Sequence, residues 1–455
     1  MAILLCVLYF TVLVALSAYG LHRLHLVILC RRHRERIEKA PELAGPPLAE
    51  HELPVVTIQL PIFNESTVVE RLLESVVRMD YPQDRLHIQV LDDSTDETRQ
   101  LARAKVDELR RRGFDADYIH RTDRVGYKAG ALDHGLSSAK GELIAVFDAD
   151  FVPRPDFCRA IVGHFRDPSV GMVQARWAHL NRDASMLTRI QALMLDGHHL
   201  VENRARYGAG FFFNFSGTGG MWRRSAIHDA GGWEHDTLTE DLDLSYRAQL
   251  RGWKFIYRPD VVSPAELPED ICAVRAQQYR WAKGTVQTAR KLLRIVLRSD
   301  LRRSQKLEAL FHMTPHFAYP LMVCLSLLLL PVLLSVNVKS FGHAMLFDIP
   351  LCLAPISSLA AFYMLADTAQ GRSRWSALKI LPALIALGAG LAPHLSAAVN
   401  EGLKHRAGEF VRTPKYGINR WRYRAAAQVP IFEVLGAILM CTSVVVALRT
   451  GHLFA

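Results

Sequence analysis

The hydrophobic and polar positions of this 455-residue chain follow two different patterns. Between residues 53 and 285, short apolar runs alternate with amphipathic stretches, as they do in α/β domains that face water. Residues 2–29 and several stretches after Pro315 form longer apolar runs, near the ~20 residues that cross a bilayer as a helix. The pattern therefore predicts an α/β domain fused to an α-helical transmembrane domain.

Strand and helix alternate within residues 53–285, which predicts a doubly wound, mostly parallel sheet. Strands are predicted at 55–60, up to Leu91, near Tyr118 and at 143–147, and helices are predicted to begin at Thr67, Asp96 and Lys128. Ligands of such sheets bind at the carboxyl ends of the strands. We therefore expect functional side chains directly after these strands.

Residues 1–30 are predicted to form an N-terminal transmembrane helix whose N-terminus lies outside. A cleaved signal peptide is the alternative, but the apolar run is too long for one, and its charges (Arg31, Arg32 and Arg34) follow it. Residues 31–52 are basic and proline-containing, and they are predicted to link this helix to the α/β domain.

The chain after residue 285 is predicted to return to the membrane. Residues 286–310 mix leucine and valine with arginine, which indicates an amphipathic helix on the bilayer surface. Residues 311–455 are predicted to form a C-terminal membrane domain with apolar runs at 315–336, 346–366, 377–399 and 429–448.

One basic segment conflicts with a simple count of these spans. Residues 401–427 carry seven Lys and Arg against two Glu, which places them on the cytoplasmic side by the positive-inside rule. Three full spans before this segment would place it outside. The run 377–399 is interrupted by proline and glycine, so we expect it to be re-entrant or interfacial.

The net charge of +10 raises nucleic acid or a membrane surface as partners. The basic residues cluster beside the apolar runs, which favours a lipid bilayer and argues against nucleic acid. The seven cysteines are scattered singly, and no spacing suggests a zinc site or a disulfide framework.

Acidic residues follow two of the predicted strands. Asp148 and Asp150 follow the strand 143–147, where two carboxylates can reach one divalent metal and a diphosphate. A turn with solvated acids is the alternative. Asp92 and Asp93 follow the strand that ends at Leu91, and we expect one of them to be functional.

Polar residues elsewhere complete this edge. Asn64 and Glu65 follow the first strand. Lys128 lies at a helix start between two glycines, where it can neutralise a leaving diphosphate, although a glycine-rich turn is an equal alternative. Asp241 begins another helix, which Thr239 can cap, and it is our candidate for a general base rather than a residue that only complements the helix dipole.

The sequence Gln277-Gln278-Tyr279-Arg280-Trp281 ends the α/β domain. Arginine can clamp diphosphate oxygens with two hydrogen bonds, and tryptophan offers a flat face for a sugar ring. Both residue types also favour the bilayer interface, so spacing alone leaves the two interpretations open.

In this order, Asp92-Asp93, Asp148-Ala149-Asp150, Thr239-Glu240-Asp241 and Gln277–Trp281 resemble the four signature motifs of the processive family 2 glycosyltransferases. The sequence around these motifs is similar to that of the cellulose synthase-like mannan and glucomannan synthases and their bacterial relatives. Examples are Gln59–Glu65, Gly126–Leu132 and Val173–Trp177. The resemblance implies a glycosyltransferase-A-type catalytic domain, an enzyme that inverts the anomeric carbon, and a nucleotide-sugar donor.

The resemblance also implies a role for each motif residue. Asn64, Glu65 and Asp92 or Asp93 would hold the nucleoside, and Asp148 and Asp150 would bind Mg²⁺ or Mn²⁺ with the donor phosphates. The diphosphate would be contacted by Lys128 and lined by Gln277, Gln278 and Arg280. Trp281 and Glu240 would contact the acceptor, and Asp241 would be the general base. Residues 410–415 would resemble a gating loop.

We expect transfer of a hexose from GDP-mannose or UDP-glucose to a growing β-linked polysaccharide, with export across the membrane and a cytoplasmic catalytic domain. Two alternatives remain. One is a transferase that makes a glycolipid by a single addition, as ceramide glucosyltransferases do. The other is a catalytically silent scaffold, which would lack at least one of these carboxylates. The sequence does not indicate a protein partner.

Overall fold

The computed structural model describes residues 1–335, 338–404 and 431–450. The chain begins with a long helix, α1 (Ala2–Arg32), and a short one, α2 (Arg34–Glu38). Two 3-10 helices, Ala40–Ala44 and Glu50–Glu52, then lead into the α/β domain. The helix predicted at 1–30 therefore coincides with α1, and the predicted linker contains short helical turns.

A seven-stranded sheet forms the centre of the α/β domain. Its strands are β1 (Val56–Ile62), β2 (Leu86–Asp92), β3 (Asp115–His120), β4 (Leu143–Val146), β5 (Val170–His179), β6 (Gly220–Arg223) and β7 (Lys254–Ala265). They lie in the order β3-β2-β1-β4-β6-β5-β7. β6 is antiparallel to both neighbours and the other pairs are parallel, so the prediction of a mostly parallel sheet is confirmed.

β2 and β4 are buried at every position. Since neighbouring side chains on a strand point to opposite faces, both faces of the sheet are covered, and helices cover them. The helices are α3 (Val69–Val77), α4 (Thr98–Arg111), α5 (Tyr127–Leu136), α6 (Phe157–Val162), α7 (Met186–Gly197), α8 (Asn203–Ala209), α9 (Arg224–Asp229), α10 (Glu240–Leu250) and α11 (Ile271–Arg298). A π-helical turn, His198–Glu202, joins α7 to α8. The predicted starts of α3, α4 and α5 differ from the observed ones by at most two residues.

The C-terminal part consists of helices. They are α12 (Arg303–Met313), α13 (Ala318–Ser335), α14 (Val338–Thr368), α15 (Arg374–Lys404) and α16 (Ile431–Thr450), with a 3-10 turn, Pro315–Phe317, before α13. Among the described residues, five helical segments have the length and hydropathy of a membrane span: Ala2–Arg32, Pro315–Ser335, Ile349–Thr368, Arg374–Lys404 and Ile431–Arg449. Large apolar side chains on them are exposed, and apolar surface of this extent needs lipid or protein to cover it.

The boundary predicted at residues 285 and 286 is wrong, because α11 runs through it without a break. Leu292 and Val296, which we expected to face the bilayer, are buried against Leu242 and Tyr246 of α10. The chain leaves the helical path only at Ser299, before α12 begins. Part of the apolar stripe of 286–310 therefore packs on the α/β domain.

α15 lies along the α/β domain and contacts it at both ends. Near its start, Leu381 and Leu384 belong to the main hydrophobic core. Near its end, Glu401 accepts from Lys283 Nζ of α11 at 2.9 Å. The helix is continuous over 31 residues, so the prediction of a re-entrant turn within 377–399 is wrong.

Buried ion pairs hold the connection between α14 and α15 against the α/β domain. Arg182 lies 2.6 Å from Asp196 and 3.3 Å from Asp367, and Arg372 lies 3.0 Å from Asp196 and 3.1 Å from Asp367. Both aspartates are almost fully buried, at 1% and 0% exposure. Each buried carboxylate thus has two cationic partners, the condition under which buried charge is tolerated.

At Gly20, α1 packs tightly against Pro355 of α14, and replacement of Gly20 tests this packing. A Cβ at Gly20 would lie 2.4 Å from Cβ of Pro355, whereas a Cβ at Gly388 of α15 meets nothing within 4 Å. We expect Gly20→Ala to lower the free energy of unfolding by about 1–3 kcal/mol, as overpacking does. Gly388→Ala is the matched control and should be neutral or stabilising, since alanine favours helix over glycine. Equal thermal unfolding of the two variants in detergent would contradict this packing.

Candidate active site

The carboxyl ends of β1, β2 and β4 bring polar side chains to one cavity, as the parallel sheet predicts. From these ends come Glu65, Asp93, Asp148 and Asp150, and from the surrounding helices come Lys128, Glu240, Asp241, Gln277, Arg280 and Trp281. Residues from all four sequence motifs therefore line the same cavity, although Asp93 and Trp281 are about 190 positions apart in the chain.

Lys128 connects two sides of this cavity. Its ammonium group donates to Asp148 Oδ1 at 2.5 Å and to the carbonyl oxygen of Gly217 at 2.9 Å. Burial alone lowers the pKa of Lys128, but the nearby carboxylates of Asp148 and Glu240 outweigh it and the pKa is raised. Lys128 is therefore a fixed positive charge at neutral pH.

The chemistry of Asp148 and Asp150 fits a divalent cation. Both carboxylates line the cavity, and the Asp148 amide donates to Thr218 Oγ1 at 2.9 Å, which holds the strand end in place. Mg²⁺ is bound in proteins by one or two carboxylates together with substrate phosphates. A pair of hard oxygen donors beside Lys128 meets that requirement for Mg²⁺ or Mn²⁺.

Glu240 and Asp241 lie in the first turn of α10. Burial raises the pKa of Asp241 to about 7, and the negative charge of Glu240 adds to this effect. Burial likewise raises the pKa of Glu240, and Lys128 opposes that rise. A carboxyl group with a pKa near neutrality can both accept and release a proton at physiological pH.

Thr239 does not cap α10 with its side chain, contrary to prediction. Its hydroxyl group lies 3.0 Å from the hydroxyl group of Thr288 on α11 instead. The amide of Leu242 is satisfied by Asp241 Oδ1 at 2.8 Å. The start of α10 is therefore tied to α11 rather than closed by its own N-cap.

Helical spacing separates the residues of the Gln277–Trp281 motif. Gln277, Arg280 and Trp281 are three and four positions apart, so they share one face of α11, and all three line the cavity. Burial lowers the pKa of Arg280, and the carboxylates of Glu240, Asp148 and Asp241 counteract it. An arginine remains charged under such a shift.

Three residues predicted to contact a donor lie outside the cavity lining: Asn64, Asp92 and Gln278. Asp92 is fully buried and accepts from the Tyr118 hydroxyl group at 2.6 Å and from the Ser94 amide at 2.8 Å. Asn64 accepts from the Thr95 amide at 2.8 Å. Gln278 is buried on another face of α11. The structure thus places Asn64 and Asp92 in hydrogen bonds that hold the ends of β1 and β2.

Asp93 is the member of the acidic pair that reaches the cavity. Arg121 holds its carboxylate with two hydrogen bonds, at 2.9 and 2.5 Å. The same guanidinium group donates to the carbonyl oxygens of Val125 and Tyr127 at 3.0 and 2.9 Å. Arg121 thereby joins the end of β2 to the turn before α5.

Sequence reasoning missed residues on two sides of the cavity. On one side, the guanidinium group of Arg124 lies 3.3 Å from the ring centroid of Phe63 and 5.0 Å from that of Tyr127. Arg124, Tyr127 and Asn64 are the described non-glycine residues with positive φ (48°, 49° and 55°), and such strain gathers at functional sites. No sequence signal reveals it, because the strain depends on tertiary contacts.

On the other side, Trp177 and His179 line the cavity from β5. They are two positions apart, so they project from the same face of that strand. The Trp177 ring nitrogen donates to the carbonyl oxygen of Thr218 at 3.2 Å. The spacing of Trp177 and His179, two positions apart in a strand, is a sequence pattern that indicates this side of the cavity.

Residues 410–415, predicted to resemble a gating loop, lie outside the residues that the structure describes, as does most of the basic segment 401–427.

Comparison with known proteins identifies the family of the α/β domain. Residues 54–284, just over half of the chain, match the model of the family described as Glycosyltransferase like family 2. Glucomannan 4-beta-mannosyltransferase 1 of Oryza sativa subsp. japonica is 41% identical over 279 residues, which are 60% of this chain and 53% of that protein. Glucomannan 4-beta-mannosyltransferase 2 of Arabidopsis thaliana is 42% identical over 257 residues, 55% of this chain and 48% of that protein. The matches thus span about half the length of these plant relatives.

A solved structure shares the fold. The mannosyltransferase PcManGT of Pyrobaculum calidifontis, solved in complex with GDP-Man and Mn²⁺, is similar with a TM-score of 0.50 and 22% identity. The similarity covers 77% of this chain and 97% of that one. The predicted glycosyltransferase-A-type fold and the resemblance to glucomannan synthases are confirmed.

Proposed function

The chain belongs to Glycosyltransferase like family 2, and we propose that it is an inverting, metal-dependent hexosyltransferase. In this proposal it transfers a sugar from a nucleotide-diphosphate donor to a growing β-linked polysaccharide. The observation that carries the proposal is the cavity itself. It combines two cations, Lys128 and Arg280, with a carboxyl group, Asp241, whose pKa is raised to about 7.

The donor we propose is GDP-mannose, with UDP-glucose as the second candidate. Two plant relatives that match 55–60% of this chain are named glucomannan 4-beta-mannosyltransferases, which supports a mannosyl donor and a β-linked mannan or glucomannan product. The nucleoside would lie beside Glu65 and Asp93, at the ends of β1 and β2. Arg124 and Phe63 border the same end of the cavity.

Two cations of the chain would stabilise the leaving group. As the bond between sugar and diphosphate breaks, negative charge grows on the diphosphate, and preorganised charges aimed at it contribute the largest part of many catalytic effects. Lys128 and Arg280 would supply this stabilisation, and Gln277 would add hydrogen bonds. A Mg²⁺ or Mn²⁺ ion held by Asp148 and Asp150 would neutralise further charge on the donor phosphates.

Asp241 would act as the general base. It would take the proton from an acceptor hydroxyl group, which then attacks the anomeric carbon from the side opposite the diphosphate, so that the configuration inverts. Its pKa near 7 matches the usual requirement for a base at physiological pH. Glu240 and Trp281 would contact the acceptor, the latter by stacking on a sugar ring.

The arrangement of helices supports a cytoplasmic catalytic domain. If α15 lies along the cytoplasmic face, as its contacts with the α/β domain suggest, four of the five apolar segments would span the bilayer. The basic segment 401–427 would then face the cytoplasm, and the basic residues after α1 would do so too. The topological conflict in the sequence would thereby disappear.

Charged and polar side chains among the membrane helices support export of the product. Arg23 of α1 donates to the hydroxyl group of Tyr363 on α14 at 3.4 Å. Ionisable groups at such positions are costly and commonly line a substrate path. A transferase that adds one sugar to a lipid is the alternative, and product length separates the two.

The proposal is tested by nucleoside diphosphate release from GDP-mannose, UDP-glucose, UDP-N-acetylglucosamine and UDP-galactose by the detergent-purified protein. We expect turnover of one donor that EDTA abolishes and Mg²⁺ or Mn²⁺ restores. Asp241→Asn should lower the rate about 100-fold or more, in the range of general-base catalysis, while the variant still binds the nucleoside diphosphate. Asp300→Asn, an exposed change, serves as the matched control. Loss of nucleotide binding in Asp241→Asn would remove that residue from the role of base.

The raised pKa of Asp241 predicts a pH profile. A base must be ionised, so the rate of transfer should fall about fivefold from pH 7 to pH 6 as Asp241 takes up its proton. Glu240→Gln removes a negative charge that contributes to the raised pKa, so the acidic limb should move to lower pH. An acidic limb unchanged in Glu240→Gln, measured from kcat between pH 5.5 and 8.5, would contradict the assignment.

A further inference from the structure

One face of α11 contacts the segment that leads into α10. The face consists of Gly284, Gln287, Thr288 and Lys291, which are spaced at three, four and seven positions and therefore lie above one another on the helix. The segment comprises residues 233–239, directly before Glu240 and Asp241. The two helices that carry the proposed base and the diphosphate clamp are thus joined here.

The first half of this face holds the backbone of the segment. The Leu238 amide donates to Gln287 Oε1 at 2.9 Å. Gly284 permits the close approach, because a Cβ there would lie 2.7 Å from Thr239 Cγ2 and 2.9 Å from the Leu238 carbonyl carbon. Thr288 and Thr239 share the hydrogen bond between their hydroxyl groups.

The second half of the face is Lys291. Its ammonium nitrogen lies 2.5 Å from Glu234, 2.7 Å from Asp236 and 3.0 Å from Asp243. Oxygen atoms of the three carboxylates lie within 4.8 Å of one another, so they would repel without a cation between them. Such a group resembles a metal site, but here the lysine ammonium occupies the centre.

The cluster reaches into the helix that carries the proposed base. Asp243 is fully buried and lies on α10, two residues after Asp241. Its second oxygen accepts from Arg247 at 2.7 Å. Lys291 therefore ties α10 to α11, while Arg247 of α10 donates to the carbonyl oxygen of Gly232 at 3.0 Å and so ties α10 to the loop before it.

We propose that Lys291 is a positioning residue: by neutralising Glu234, Asp236 and Asp243 it holds Asp241 of α10 at a set separation from Arg280 and Trp281 of α11. This rests on the proposed function of Asp241 and Arg280. Without Lys291 the three carboxylates repel, the contact between α10 and α11 opens, and the base moves away from the acceptor. A misplacement of about 1 Å costs roughly 100-fold in rate.

The test compares Lys291→Met and Lys291→Arg in the full-length purified protein. We expect kcat of Lys291→Met to fall at least about tenfold, with less than a threefold change in Kd for the nucleoside diphosphate, because Lys128 and Asp93 stay in place. Lys291→Arg retains the charge and should recover most of kcat. Lys254→Met is the matched control, since Lys254 pairs with Asp167 on the exposed surface.

Two further measurements keep the result clear. The double variant Asp236→Asn/Lys291→Met removes part of the repulsion and should regain stability and some activity if Lys291→Met unfolds. Hydrogen exchange of residues 233–245 reports the contact without any activity, and Lys291→Met should increase it while exchange in α4 stays constant.

The outcomes separate this inference from the proposed function. If the wild-type protein releases no nucleoside diphosphate from any donor but Lys291→Met increases exchange at 233–245, the proposed function fails and the contact between helices stands. If the wild type is active and kcat of Lys291→Met stays within twofold of the wild-type value, the positioning role is overturned, whether or not hydrogen exchange at 233–245 changes. A parallel loss of kcat and nucleotide binding that Lys291→Arg does not restore would also overturn it.

Discussion

The cavity depends on a balance of charge between two cations and four carboxylates that come from different parts of the chain. Lys128 and Arg280 lie among Asp148, Asp150, Glu240 and Asp241. Partial burial makes each charge costly alone, so every member depends on the others. Burial and the neighbouring charge of Glu240 raise the pKa of Asp241 to about 7, although Lys128 opposes this rise, while Lys128 itself stays charged. Sites where burial and neighbouring charges shift pKa values in this way are commonly functional.

This balance holds only if the helices around the sheet keep their places, and α11 does most of that positioning. Its first turns present Gln277, Arg280 and Trp281 to the cavity. Further along, one side holds the segment before α10, and another holds the end of α15 through Lys283 and Glu401. A single 28-residue helix therefore connects the proposed donor site, the proposed base and the apolar helices of the C-terminal part.

Sequence reasoning predicted the edge of the sheet well, because parallel strands end at a common edge and polar residues there stand out. It did not show which of Asp92 and Asp93 faces the cavity, because the hydrogen-bond partner of the buried Asp92 carboxylate is Tyr118, which lies on another strand. Helical spacing alone distinguishes Gln278 from Gln277, Arg280 and Trp281. The apolar stripe of 286–310 was assigned to the bilayer because lipid and a neighbouring helix offer the same apolar surface. Only tertiary structure shows that Leu292 and Val296 pack on α10.

The most direct test of the account is the anomeric configuration of the newly formed bond. The protein would be incubated with the donor that it turns over, labelled with ¹³C at the anomeric carbon, and the product would be analysed by NMR before and after digestion with a β-specific glycosidase. Attack by an acceptor activated by Asp241, opposite to the diphosphate, predicts a β-linked product from an α-linked donor. An α-linked product would mean retention of configuration, and it would contradict the mechanism built on this cavity.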